Sequence, residues 1–162
     1  MSGISAIPRR NGNFVTIVKD EDQVVTTTNE TQILFDYENC STYEYLLEMN
    51  GSNGNVLVHK GVSQVKVTCM VWVERKEGSY AEVILKNGST VIGAALFPAR
   101  MAGQETWCTI NCVGVCTVTE NDVISAYIKF SSADAALNKI SGDYGMESQL
   151  IVEVMEYNNE TP

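Results

Sequence analysis

Between Ser63 and Glu74 the chain alternates, with Val65, Val67, Cys69, Val71 and Val73 on one side and Gln64, Lys66, Thr68, Met70, Trp72 and Glu74 on the other. A period of two predicts a β-strand. A second run, Ala81–Lys86, closes on Asn87-Gly88, a pair that favours reversal between antiparallel strands. The same reading predicts strands at Phe14–Val18, Gln32–Tyr37, Asn55–His59, Ser89–Leu96, Thr106–Thr119, Asp122–Ser131 and Ser148–Tyr157. Tyr43–Met49 reads as one helical turn or an irregular strand. Asn50–Gly54 and Pro98–Gly103 read as loops, and Ser131–Gly145 as a long connection that holds a helical turn at Ala133–Leu137. Many short strands without a sustained helical period predict an all-β sandwich or jelly roll.

Three of these strands are apolar on both faces. Met70 and Trp72 stand opposite the valine face of the first run. Ile151 and Met155 oppose Leu150, Val152 and Val154, and Trp107, Val113 and Val115 oppose Cys108, Ile110, Cys112 and Cys116. Such a sheet is expected to be covered twice, because monomers rarely expose large apolar patches. The second cover is either another subunit or a loop or arm of the same chain. Residues 1–30 carry the fewest core-like positions and read as an N-terminal arm with a short strand, suited to pairing with a neighbouring chain; residues 31–162 read as the jelly-roll domain.

The order of elements resembles the trimeric jelly-roll superfamily of tumour necrosis factor and the globular heads of complement-type proteins. The residues that carry the resemblance are Phe35, Asn39, Gly61 before the Val65–Val73 strand, Val83–Gly88, the turn Val118-Thr-Glu-Asn-Asp122 and the final Leu150-Ile-Val152. Here valines and Cys69 stand where the family usually carries an aromatic pair, and Asn121 stands where it usually carries glycine. The resemblance implies an antiparallel, homotrimeric jelly roll with the two-faced strands around the threefold axis. Met70, Trp72, Ile151 and Met155 are then the expected trimer interface.

At 162 residues the chain is expected to form one domain able to bury its own core. A net charge of −9 disfavours nucleic acid as a partner, since phosphate binding draws on clustered Lys and Arg. No segment approaches the roughly 20 apolar residues of a membrane span, and Met1–Arg10 lacks the pattern of a secretory signal. Five cysteines, an odd number, agree with thiols in a reducing compartment rather than a disulfide framework.

The spacing Cys108-x3-Cys112-x3-Cys116 invites a metal reading, but four residues of strand span about 13 Å, too far for two sulfurs on one ion. The lone His59 has no histidine partner. Asp20-Glu21-Asp22 and Glu120 with Asp122 lack the spacing of a calcium loop and read as solvated turn charges. No nucleophile, phosphate-loop or zinc-protease motif is present. The expectation is therefore a non-enzymatic protein with no cofactor or metal: a bacteriophage virion structural protein, a trimeric capsid-decorating or head-fibre protein docked on the major capsid or another virion protein. The alternative is a tail-tip adhesin recognising a host surface glycan or protein through Asn50, Gly51, Ser52, Asn53, Gly54 and Arg100.

Overall fold

The computed structural model describes residues 13–41, 46–132, 138–142 and 147–158. Among them are β1 (Phe14–Val18), β2 (Gln23–Val24), β3 (Thr31–Gln32), β4 (Tyr37–Ser41), β5 (Leu47–Met49), β6 (Val56–Val58), β7 (Val62–Glu74) and β8 (Ala81–Asn87). These are followed by β9 (Thr90–Phe97), β10 (Trp107–Thr117), β11 (Val123–Phe130), β12 (Lys139–Ile140) and β13 (Gln149–Tyr157). They form two antiparallel sheets packed face to face. One runs β10-β7-β13-β1-β4, with β12 continuing along the β13 edge of β7 and carrying β2; the other runs β5-β6-β11-β8-β9, with β3 on β11.

The alternation in β7 decides the layering. Val65, Val67, Cys69, Val71 and Val73 are all fully buried, and β10 places Ile110 and Cys112 beside them. From the other sheet Val83, Leu85, Ile124, Ala126, Ile128 and Phe130 close the core. The turn between β8 and β9 is Gly88-Ser89, with Gly88 at φ 56°, the conformation that lets a two-residue turn follow the strand twist. Asn121 has φ 71°, which explains why a glycine suits that position and why asparagine, tolerant of the left-handed region, can replace it. The Asp122 carboxylate fixes this turn, accepting from the Thr119 amide at 3.0 Å and Asn87 Nδ2 at 2.8 Å.

One expectation changes. Gln32–Tyr37 is not one strand: β3 ends at Gln32 in the six-stranded sheet and β4 starts at Tyr37 in the other. The crossing keeps an alternating pattern because Ile33 and Phe35 are buried between the layers, while the nearly buried Lys19 donates to the Leu34 carbonyl at 2.7 Å. Of the segment read as an arm, residues 1–12 lie outside the described residues, and residues 14–18 lie within the sandwich. There β1 pairs with both β13 and β4 and buries Val15 and Ile17 completely. The helical turn expected at Ala133–Leu137 lies outside the described residues.

At one margin the two sheets come into backbone contact. A Cβ on Gly114 of β10 would lie 2.6 Å from the Ile92 carbonyl oxygen, and one on Gly93 of β9 would lie 2.7 Å from that of Val113. Only glycine permits this approach, since backbone atoms held in ladders cannot move aside. Gly114→Ala is therefore expected to destabilise the fold by about 1–3 kcal/mol, the range for overpacking a tight site, measured by chemical denaturation. Unchanged stability would mean that this margin opens freely.

Candidate functional site

Strand β7 is bonded on one edge to β10 and on the other to β13 and β12, so its outer face is held rigidly. At Trp72 the partner changes from β13 to β12, and serines bridge the junction. The Trp72 amide donates to Ser148 Oγ at 3.0 Å, and its carbonyl accepts from the Ser141 amide at 2.9 Å. This fixes the Trp72 backbone, and its side chain is half-buried.

The indole and Met70 line a recess of about 350 Å³ with Val18, Tyr37, Asn39, Glu147 and Gln149. Ile151, two residues past the Gln149 that faces Met70, is a diagonal neighbour on the same face. Three of the four residues expected at an interface thus meet. Met155 does not: it follows the pair Val154 with Val65, where the register slips, and lies about 18 Å from Met70 at 3.3 Å per residue. It is 52% exposed, in a region that also carries the Lys66–Glu153 ion pair at 3.5 Å.

The face extends further than those four residues. Val113 and Val115 on β10 are 55% and 53% exposed. Their alternation with the core cysteines was legible in the sequence. Val18 and Tyr37 carried no such signal, because their place depends on β1 pairing with β4.

The expected ligand loops do not converge. Gly51–Asn53, flanked by Asn50 and Gly54, forms a short 3₁₀ turn between β5 and β6, at one edge of the six-stranded sheet, whereas Arg100 follows β9 at the other, with β11 and β8 between them. Gly54 is buried, and a Cβ there would meet the Phe35 nitrogen at 2.4 Å; the Asn53 carbonyl accepts from Gln32 Nε2 at 2.7 Å. Gly51 and Asn53 remain exposed. Arg100 braces its own loop, with Nε donating to the Gln104 carbonyl at 3.1 Å and its amide donating to the Ser79 carbonyl at 3.2 Å.

The cysteines of β10 point between the sheets, where burial pushes the Cys108, Cys112 and Cys116 thiols upward in pKa and raises Cys69 furthest. Cys69 and Cys112 are directly opposed in register and both are free. Among the described residues no three His, Cys, Asp or Glu side chains form a metal-holding group. Raised pKa values leave little thiolate at neutral pH. Alkylation of the native protein, resolved by peptide mass spectrometry, is therefore expected to accelerate with rising pH at Cys108 and Cys116. Cys69 should react only on unfolding, and rapid native labelling of Cys69 would contradict its burial.

Two antiparallel sheets, strands in this order and a two-faced central strand define a jelly roll of the tumour-necrosis-factor type. Solved structures of that fold are similar to this chain. Murine APRIL at pH 5.0 superimposes with a TM-score of 0.64 at 12% identity, covering 89% of this chain and 99% of its own. Eiger TNF from S. frugiperda gives 0.57 at 7% identity, covering 93% and 98%. At these identities the likeness is one of fold. No protein-family model matches the sequence, and no curated protein matches it.

Proposed function

We propose that this chain is a non-enzymatic assembly protein that acts as a homotrimer, with the outer face of the seven-stranded sheet between copies. The observation that carries this reading is the placement of exposed Val113 and Val115 and half-buried Met70, Trp72 and Ile151 on one rigid face. The recess at Met70 and Trp72 opens toward β1 and β4, while Val113 and Val115 lie on β10 at the opposite edge. Contact between two different patches is heterologous, and it closes into a ring of three when each copy is rotated by a third of a turn from the last. The edge of one copy set against the recess of the next buries both.

The assembly that such a trimer serves is, in this proposal, a bacteriophage virion, on which it decorates the capsid or forms part of a head fibre. The free thiols at Cys69, Cys108, Cys112 and Cys116 support assembly in a reducing compartment. A net charge of −9 supports docking on protein rather than on nucleic acid.

Trp72→Glu and Val113→Asp, made separately, test the interface. Each sets a charge in a desolvated contact, a cost of several kcal/mol, so each is expected to yield a folded monomer by analytical ultracentrifugation with an unchanged β-type circular dichroism spectrum. Val113 is exposed within one chain, so its substitution spares the fold. A Val113→Asp protein that assembles like the parent would overturn the proposed contact. Cosedimentation of the purified protein with capsids lacking it tests the platform. Binding to host cells instead, lost on changing the exposed Met101 loop, would favour the adhesin.

A further inference from the structure

Beyond β7 the chain reads Arg75-Lys-Glu77, an ordinary charged turn, yet Arg75 is only 3% exposed. Its side chain lies over the ring of Phe97, 4.4 Å from the centroid. Nη1 donates to the carbonyls of Ser79, at 3.3 Å, and Pro98. Nε is buried and has no acceptor. Among the described residues no Asp or Glu forms an ion pair with this guanidinium.

A guanidinium does not lose its proton in proteins, so burial leaves it charged. Two carbonyls and an aromatic face offset part of the cost of removing that charge from water. The neighbouring Cys108 thiol supplies no counter-charge, because burial outweighs Arg75 and keeps it protonated. Among the described residues the guanidinium thus has hydrogen-bond partners, the Cys108 thiol included, but no counter-charge.

Beside it lies an open groove of about 450 Å³, lined by Arg75, Phe97, Gln104, Glu105, Trp107 and Cys108. That volume is within the range of small-molecule sites, which combine apolar walls with a few fixed polar groups. We propose that this groove binds a small organic monocarboxylate with a flat apolar body, the carboxylate held by Arg75 and the body in contact with the aromatic walls. Nη1 already serves two carbonyls and Nε is closed to solvent, so in this proposal the carboxylate meets the charge through Nη2 alone rather than through a two-pronged fork. A single lining cation, with Glu105 on the same rim, disfavours phosphates and other dianions. The proposal is independent of the oligomeric state.

Benzoate and its neutral counterpart benzamide are the probes. Benzoate is expected to raise the thermal midpoint of the parent protein saturably and to slow alkylation of Cys108, read by peptide mass spectrometry; benzamide is expected to do neither. Glu105→Gln, which removes a repelling charge from the rim, should tighten benzoate binding roughly twofold to fivefold, the range for one partly exposed charge. Arg75→Met should weaken it by about tenfold or more, as loss of a charged hydrogen-bond partner does. If that variant does not fold, the benzoate and benzamide comparison and Glu105→Gln still decide. Equal effects of the two probes, or no saturable effect of benzoate, would overturn the proposal.

Discussion

Hydrogen bonding on both edges of β7 is the constraint on which the rest of this structure depends. With β10 on one side and β13 and β12 on the other, the strand cannot slip by one residue without turning its five buried positions, Val65 to Val73, toward solvent. The register that keeps these residues inside necessarily keeps Met70 and Trp72 outside. Core and interaction face are thus two consequences of one alternation, and the outer face inherits the rigidity of the inner one.

The margin where β9 meets β10 completes that arrangement. Two glycines, Gly93 and Gly114, let the sheets touch there through their backbones. Val113 and Val115 project from this edge. An edge with apolar side chains and a recess elsewhere on the same sheet are the two parts that a ring of copies requires. The fold is shared with murine APRIL and with Eiger TNF from S. frugiperda at 12% and 7% identity, so the architecture tolerates almost complete replacement of its residues.

Where side-chain periodicity governs the structure, the sequence was readable. The strands β7, β8 and β13 follow their alternation closely, and the Asn87-Gly88 signal sits at a real reversal. Reading failed where spacing is preserved but direction is not: Ile33 and Phe35 alternate as strand residues do while the chain crosses between layers. Met155 is exposed, as the alternation implies, but a register slip after Val154 that sets it apart from Met70 is invisible to a period of two. Glycines and asparagines mark Asn50–Gly54 as a loop, but they do not show that Gly54 is a glycine because the backbone of Leu34 and Phe35 packs against it. Arg75 gave no signal, since nothing in Glu74-Arg-Lys-Glu77 shows which charge turns inward.

The central claim is that the outer face of the seven-stranded sheet is covered by further copies of the same chain. Native mass by light scattering on a sizing column, over serial dilution, tests it most directly. The account predicts a species of three times the 17.8 kDa chain mass that persists on dilution. A stable monomer at every concentration would contradict it, and would leave Met70, Trp72 and Val113 as an apolar face with no copy to cover it.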